Sequence, residues 1–169
     1  MAALLVLVAA GCGGSQATTT SQLTRVESGT VGRVSDGDTV RLTDSRKIRI
    51  VQIDAPELET DCYGEPARRA LLRLAAPGTH VTLERDPALD ATDKYGRLLR
   101  YLAVDGRDVG LALVADGAAE PYFFHNERGR HADELLAAAK RARASRRGLW
   151  GACPAARLDP GLGSVTGPA

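Results

Sequence analysis

Three short polar motifs interrupt the apolar runs of this chain: Ser35-Asp36-Gly37-Asp38-Thr39, Arg49-Ile50-Val51-Gln52-Ile53-Asp54-Ala55-Pro56-Glu57 and Asp93-Lys94-Tyr95-Gly96-Arg97. Two unit charges about 4 Å apart repel by roughly 4 kcal/mol at an effective dielectric near 20. Carboxylates gathered at Asp38, Asp54 and Glu57 would therefore need a counter-charge, and a hard cation supplies one. Oxygen donors suit calcium, and no histidine–cysteine cluster speaks for zinc. Arg49 and Arg97 add planar forks of donors that match phosphate oxygens. A divalent-cation site between two arginines is equipment for cutting a phosphodiester. Each piece alone has a plainer reading: Asp36-Gly37 is a common hairpin turn, and either arginine could serve a structural salt bridge. Their coincidence favours chemistry.

The elements that must position these residues follow from periodicity. Apolar and β-branched residues alternate over Leu23 to Val34, Thr39 to Thr43 and Lys47 to Ile53, with turns at Asp36-Gly37 and Asp44-Ser45-Arg46. That pattern predicts a three-stranded antiparallel meander. Pro56 disfavours helix at Ala55, so the chain leaves the sheet there and carries Asp54 and Glu57 to its rim. Ala67, Ala70, Leu71 and Leu74 then recur at helical spacing behind Pro66, and Pro77-Gly78 ends that helix. Val81 to Glu84 and Leu98 to Val104 read as two more strands, joined by the loop that holds Asp93 to Arg97. Helices are predicted over Val109 to Ala115 and His131 to Arg146. Five strands and three helices fit an α+β, mainly β fold, a Greek-key barrel of the OB type.

The chain has 169 residues and a formal net charge of +1. That length suits one domain, residues 23–153, and the charge excludes a global pull towards nucleic acid, so any phosphate affinity is local. Met1 to Ala10 is an unbroken apolar run, too short for the roughly 20 residues of a membrane span. It ends in Ala9-Ala10-Gly11-Cys12, small residues before a cysteine, which resembles a bacterial lipoprotein signal over residues 1–11, with Cys12 as the lipidation site. Residues 12–22 read as a flexible tether and residues 154–169 as a disordered glycine- and proline-rich tail. In an exported, oxidising setting, outside the cell or in its envelope, Cys62 and Cys153 are an even pair and are expected to be bonded; two buried free thiols are the alternative.

With these motifs in hand, the chain resembles the staphylococcal-type thermonucleases over about Val26 to Trp150. The matching pieces are DGDTVRL, IRIVQIDAPE, YGEPA, TDKYGR, LALVADGAA and the closing Arg147-Gly148-Leu149-Trp150. The resemblance implies an OB barrel and calcium-dependent hydrolysis of DNA and RNA that leaves 3′-phosphate and 5′-hydroxyl ends. It implies Asp38, Asp54 and the Ala55 backbone carbonyl as calcium ligands, and Arg49, Glu57 and Arg97 as the catalytic set. Lys94 and Tyr95 would contact substrate phosphate, and Tyr122 is expected to take part in base stacking or nucleotide binding, with simple packing as the alternative. The loop after Glu57 departs from the family by carrying Glu59 and Asp61 in place of lysines. Single-stranded DNA and RNA are the expected partners of a monomer, with the membrane reached only through the lipid on Cys12. The other reading is a non-catalytic, nucleic-acid-binding OB-fold envelope lipoprotein.

Overall fold

The computed structural model describes residues 27–169. The apolar leader, the tether, Cys12 and residues 23–26 of the first predicted strand lie outside the described residues. β1 (Glu27–Val34), β2 (Thr39–Leu42) and β3 (Lys47–Ile50) form the expected antiparallel meander, with Val34 opposite Val40 and Thr39 opposite Arg49. A two-residue strand, β4 (Ile53–Asp54), and helix α1 (Gly64–Leu74) follow. β5 (His80–Glu84) runs antiparallel to β1 and to β6 (Leu98–Val104). β6 then pairs in parallel with β3, which closes a five-stranded mixed barrel. Closure leaves those strands without a free edge.

β7 (Arg107–Asp108) leads into α2 (Val109–Ala115), where the Asp108 carboxylate accepts the Leu111 N–H at 2.6 Å and caps the helix. β8 (Glu120–Pro121) pairs with β4, α3 (Ala132–Ala144) packs on α2, and a single turn, α4 (Leu149–Ala152), ends at Cys153. The alternation read from the sequence places Val31, Val40, Ile48, Leu83 and Leu102 inside the barrel, covered by Leu71 of α1 and Leu113 of α2. Each such side chain contributes about 1.5–3 kcal/mol by leaving water. Among the described residues, no helix is long and apolar enough to cross a membrane.

Two expectations are corrected. The third strand does not run to Ile53: it stops at Ile50, and Gln52 takes a left-handed conformation with φ of 65°. That backbone costs an L-residue roughly 1–2 kcal/mol. The Gln52 side chain offsets the cost by donating to Glu127 O at 2.9 Å and accepting from Gly129 N at 2.6 Å. Local alternation does not encode partners so far along the chain.

The second correction concerns Pro154 to Ala169, which is not a disordered tail. A Cys62–Cys153 disulfide anchors its start. Farther along, Pro160 O accepts Phe123 N at 2.7 Å, Gly167 O accepts Cys62 N at 2.9 Å, and Ala169 N donates to Thr60 O at 2.9 Å. Its glycines and prolines mark a lack of helix and strand, not a lack of order.

Candidate active site

The two aspartates of the first motifs meet around one arginine. Thr39 sits opposite Arg49 in the β2–β3 ladder, so Asp38 at the foot of β2 and Arg49 share one end of the barrel. The turn at Gln52 brings Asp54 back to the same end. Arg49 Nε lies 2.9 Å from Asp38 Oδ1 in an ion pair, and Nη2 donates to Asp54 Oδ1 at 2.6 Å. Nη1 donates to both Ile50 O and Ile53 O, at 2.7 Å each. The second Asp38 oxygen accepts the Ala55 N–H at 2.9 Å. Of the guanidinium's five N–H donors, both on Nη1 and one on Nη2 are taken by these hydrogen bonds, and the second on Nη2 remains for a ligand.

This cluster is short of positive charge. Burial, opposed by Arg49 and reinforced by Asp36 and Asp54, pushes Asp38 up to about 7. Partial burial, together with Asp36, Asp54 and Asp61, also raises Glu57. Glu57 is an exposed residue whose backbone N–H donates to Asp61 Oδ2 at 3.1 Å. Helix α1 holds its backbone closely: a Cβ on Gly64 would lie 2.2 Å from Glu57 O, so only glycine fits there. Among the described residues, no three His, Cys, Asp or Glu side chains form a ready-made metal cluster. The donor set of two carboxylates beside Ala55 still fits a hard cation that fills its shell with water.

Arg97 faces this cluster from the loop before β6. Asp93 fixes it by accepting Nε at 2.6 Å, while Nη1 lies 3.4 Å from Thr39 Oγ1, the residue next to Asp38. Arg49 and Arg97 both line a groove of about 500 Å³, which also presents Lys94, Tyr95, Tyr122 and Phe124. Lys94 Nζ and the Arg97 guanidinium lie 5.0 and 5.5 Å from the centre of the Tyr95 ring, which is 70% exposed. Tyr122 is half-buried with its ring 6.4 Å from Phe124, and Phe124 stacks on His125 at 3.9 Å. The structure thus gathers Asp38, Arg49, Asp54 and Arg97 at one barrel end, with Ala55 and Glu57 on the adjoining loop and Lys94, Tyr95 and Tyr122 along the groove.

A family profile described as "Staphylococcal nuclease homologue" matches residues 47–152, more than half of the chain. The chain belongs to that family. An uncharacterized endonuclease of Escherichia coli O157:H7 is 40% identical over 127 residues, covering 72% of this chain and 76% of its own length. The SPbeta prophage-derived endonuclease YokF of Bacillus subtilis (strain 168) is 32% identical over 129 residues, and endonuclease YncB of the same strain is 31% identical over 129. Each alignment covers 72% of this chain, but only 43% of YokF and 60% of YncB.

Several contacts of this nuclease-family site have no signature in the sequence. Asp93 belongs to the third motif, and only the fold shows that its carboxylate orients Arg97. Glu120 lies opposite Asp54 in the β4–β8 pair, fully buried, and neither of its carboxylate oxygens has a hydrogen-bond partner among the described residues. Burial, with Asp54 and Asp159 adding to it, pushes its carboxyl up to about 8. Phe124 follows Tyr122 in an aromatic run, which was the available hint of a longer stacking surface. Ser164, which donates its N–H to Asp54 Oδ2 at 2.9 Å, lies in the segment read as tail and beyond the family match.

Proposed function

We propose that the protein is a calcium-dependent nuclease that hydrolyses phosphodiester bonds of single-stranded DNA and RNA, leaving 3′-phosphate and 5′-hydroxyl ends. The observation that carries this reading is Arg49 held by two carboxylates and two carbonyls, on the same groove as Arg97. Family membership and the endonuclease names of the relatives support the reaction class. Asp38, Asp54 and the Ala55 carbonyl would hold calcium, which supplies charge neutralisation and polarisation at the phosphate.

The chain's own residues do the rest. Arg49 offers its remaining N–H to a phosphate oxygen, its plane fixed in advance so that little ordering is needed on binding. Glu57 positions the attacking water and takes its proton, and a raised carboxyl makes it a better base near neutral pH. Arg97, pre-oriented by Asp93, stabilises charge on the leaving oxygen. Lys94 meets a neighbouring phosphate, while Tyr95, Tyr122 and Phe124 give bases flat faces worth about 1–3 kcal/mol each. Such faces favour unpaired strands.

Glu57→Gln should lower turnover by roughly a hundredfold to ten-thousandfold, and Arg97→Ala by a similar factor, both with calcium binding kept. Wild-type turnover from both purified variants would refute these roles, whereas a wild type with no calcium-dependent turnover at all would move the chain to the binding-module reading. Arg49 is a poorer test, because removing it strands two carboxylates at a cost of about 3–5 kcal/mol.

The working place proposed is outside the cytoplasm, with lipid on Cys12 as the membrane anchor. Support comes from the apolar run before Ala9-Ala10-Gly11-Cys12 and from the Cys62–Cys153 disulfide, which suits an oxidising compartment. Intact-mass analysis of protein from the native envelope should show a chain that begins at a lipidated Cys12. An unmodified Cys12 would refute the anchor.

A further inference from the structure

We infer that the C-terminal segment, residues 157–169, is a strap that positions the cation site: its backbone fixes the Asp54 carboxylate and the loop that carries Glu57. The inference rests on the calcium reading above.

Two contacts reach the site. Ser164 N–H donates to Asp54 Oδ2 at 2.9 Å while Arg49 holds Oδ1, so both oxygens of this carboxylate are oriented before any cation arrives. Each oxygen keeps a lone pair for a ligand. Gly163 makes the approach possible. It is buried with φ of 81°, and a Cβ there would stand 2.6 Å from Asp54 Oδ2. No other residue type lets the strap lie so close.

The strap is also tied to the loop between Glu57 and Cys62. Its end pairs with that loop through Cys62 N to Gly167 O and Ala169 N to Thr60 O, each at 2.9 Å, and through a bridge between Asp61 and Pro168. Asp61 in turn accepts the Glu57 N–H. The segment crosses back on itself by a bridge between Arg157 and Val165, and Thr166 is buried beneath it. The Cys62–Cys153 disulfide joins the same loop to Cys153, four residues before the strap. One covalent and several hydrogen-bonded ties thus converge on the two acidic residues, Asp54 and Glu57, that the reaction needs in fixed places. Preorganised ligands bind more tightly because less freedom is lost on binding.

The test compares full-length wild type with Gly163→Ala by calorimetric titration with calcium chloride, alongside melting temperatures in chelator. The added methyl forces the strap off Asp54, so Gly163→Ala should bind calcium at least about tenfold more weakly, as expected for losing a hydrogen bond to a charged group. Melting in chelator should fall by no more than the few degrees that an alanine at positive φ costs. Equal or tighter binding by the variant overturns the inference. Should the variant fail to fold, amide exchange on the wild type decides: Ser164, Cys62 and Ala169 N–H groups should be protected and slow further with calcium. Fast exchange there in calcium also overturns it. A wild type that binds no calcium would instead refute the calcium reading itself.

Discussion

Asp38 carries the sharpest residue-scale consequence. Its carboxyl stands at about 7 in the fold against an ordinary 3.8, with burial as the largest cause. A folded value above the unfolded one means that this group supports the fold while protonated. The support is complete below about 3.8 and is lost as pH rises through about 7. Calcium needs the ionised form, so its apparent affinity should climb as pH rises through that range, with protons released on binding. Titrations on either side of neutrality check this; an affinity independent of pH would contradict it. Asp38→Asn should abolish the pH dependence and most of the binding, and should stabilise the metal-free chain above neutral pH. Arg49 shows why such residues resist assignment from sequence alone: it has the partners of a structural salt bridge and still keeps one donor for substrate.

At the scale of elements, the short β4–β8 ribbon places Asp54 opposite Glu120, whose carboxyl is buried with no hydrogen-bond partner among the described residues and is raised to about 8. The sign is the same as for Asp38: stability from this group is full below about 4.5 and falls as pH rises through about 8. Glu120→Gln should remove that loss, giving a higher melting temperature than wild type at pH above about 8 and little change in acid. An unchanged melting profile would mean that Glu120 is already ionised and satisfied. This ribbon marks the limit of what the pattern in the sequence discloses. The meander, α1, β5, β6, α2 and α3 were legible because alternation and helical spacing record which face is buried. The break after Ile50 was not, since the left-handed turn at Gln52 depends on Glu127 and Gly129. Nor was the parallel β3–β6 closure, which joins segments with no local signature. Asp38, Arg49, Asp54 and Arg97 were legible as a set because their motifs recur together in a family, whereas the supporting contacts of Asp93, Glu120 and Ser164 depend on packing.

Seen whole, the molecule is a closed barrel whose candidate active-site end is built from β2, β3, the loop before β6 and the chain's last residues. The staphylococcal nuclease homologue match ends at 152, one residue before Cys153, so the disulfide and strap extend past it. The net charge of +1 leaves substrate attraction to the groove, where Lys94, Arg97 and Arg49 stand among aromatic rings. Because these charges are local, substrate affinity should fall with salt in proportion to the few phosphates held there. The most direct measurement is cleavage of single-stranded DNA by the leader-free protein, first with calcium chloride and then with excess chelator, followed by analysis of the new ends. The account predicts cutting in calcium, none in chelator, and 3′-phosphate with 5′-hydroxyl termini. Binding without cutting in calcium, or cutting that persists in chelator, would contradict it.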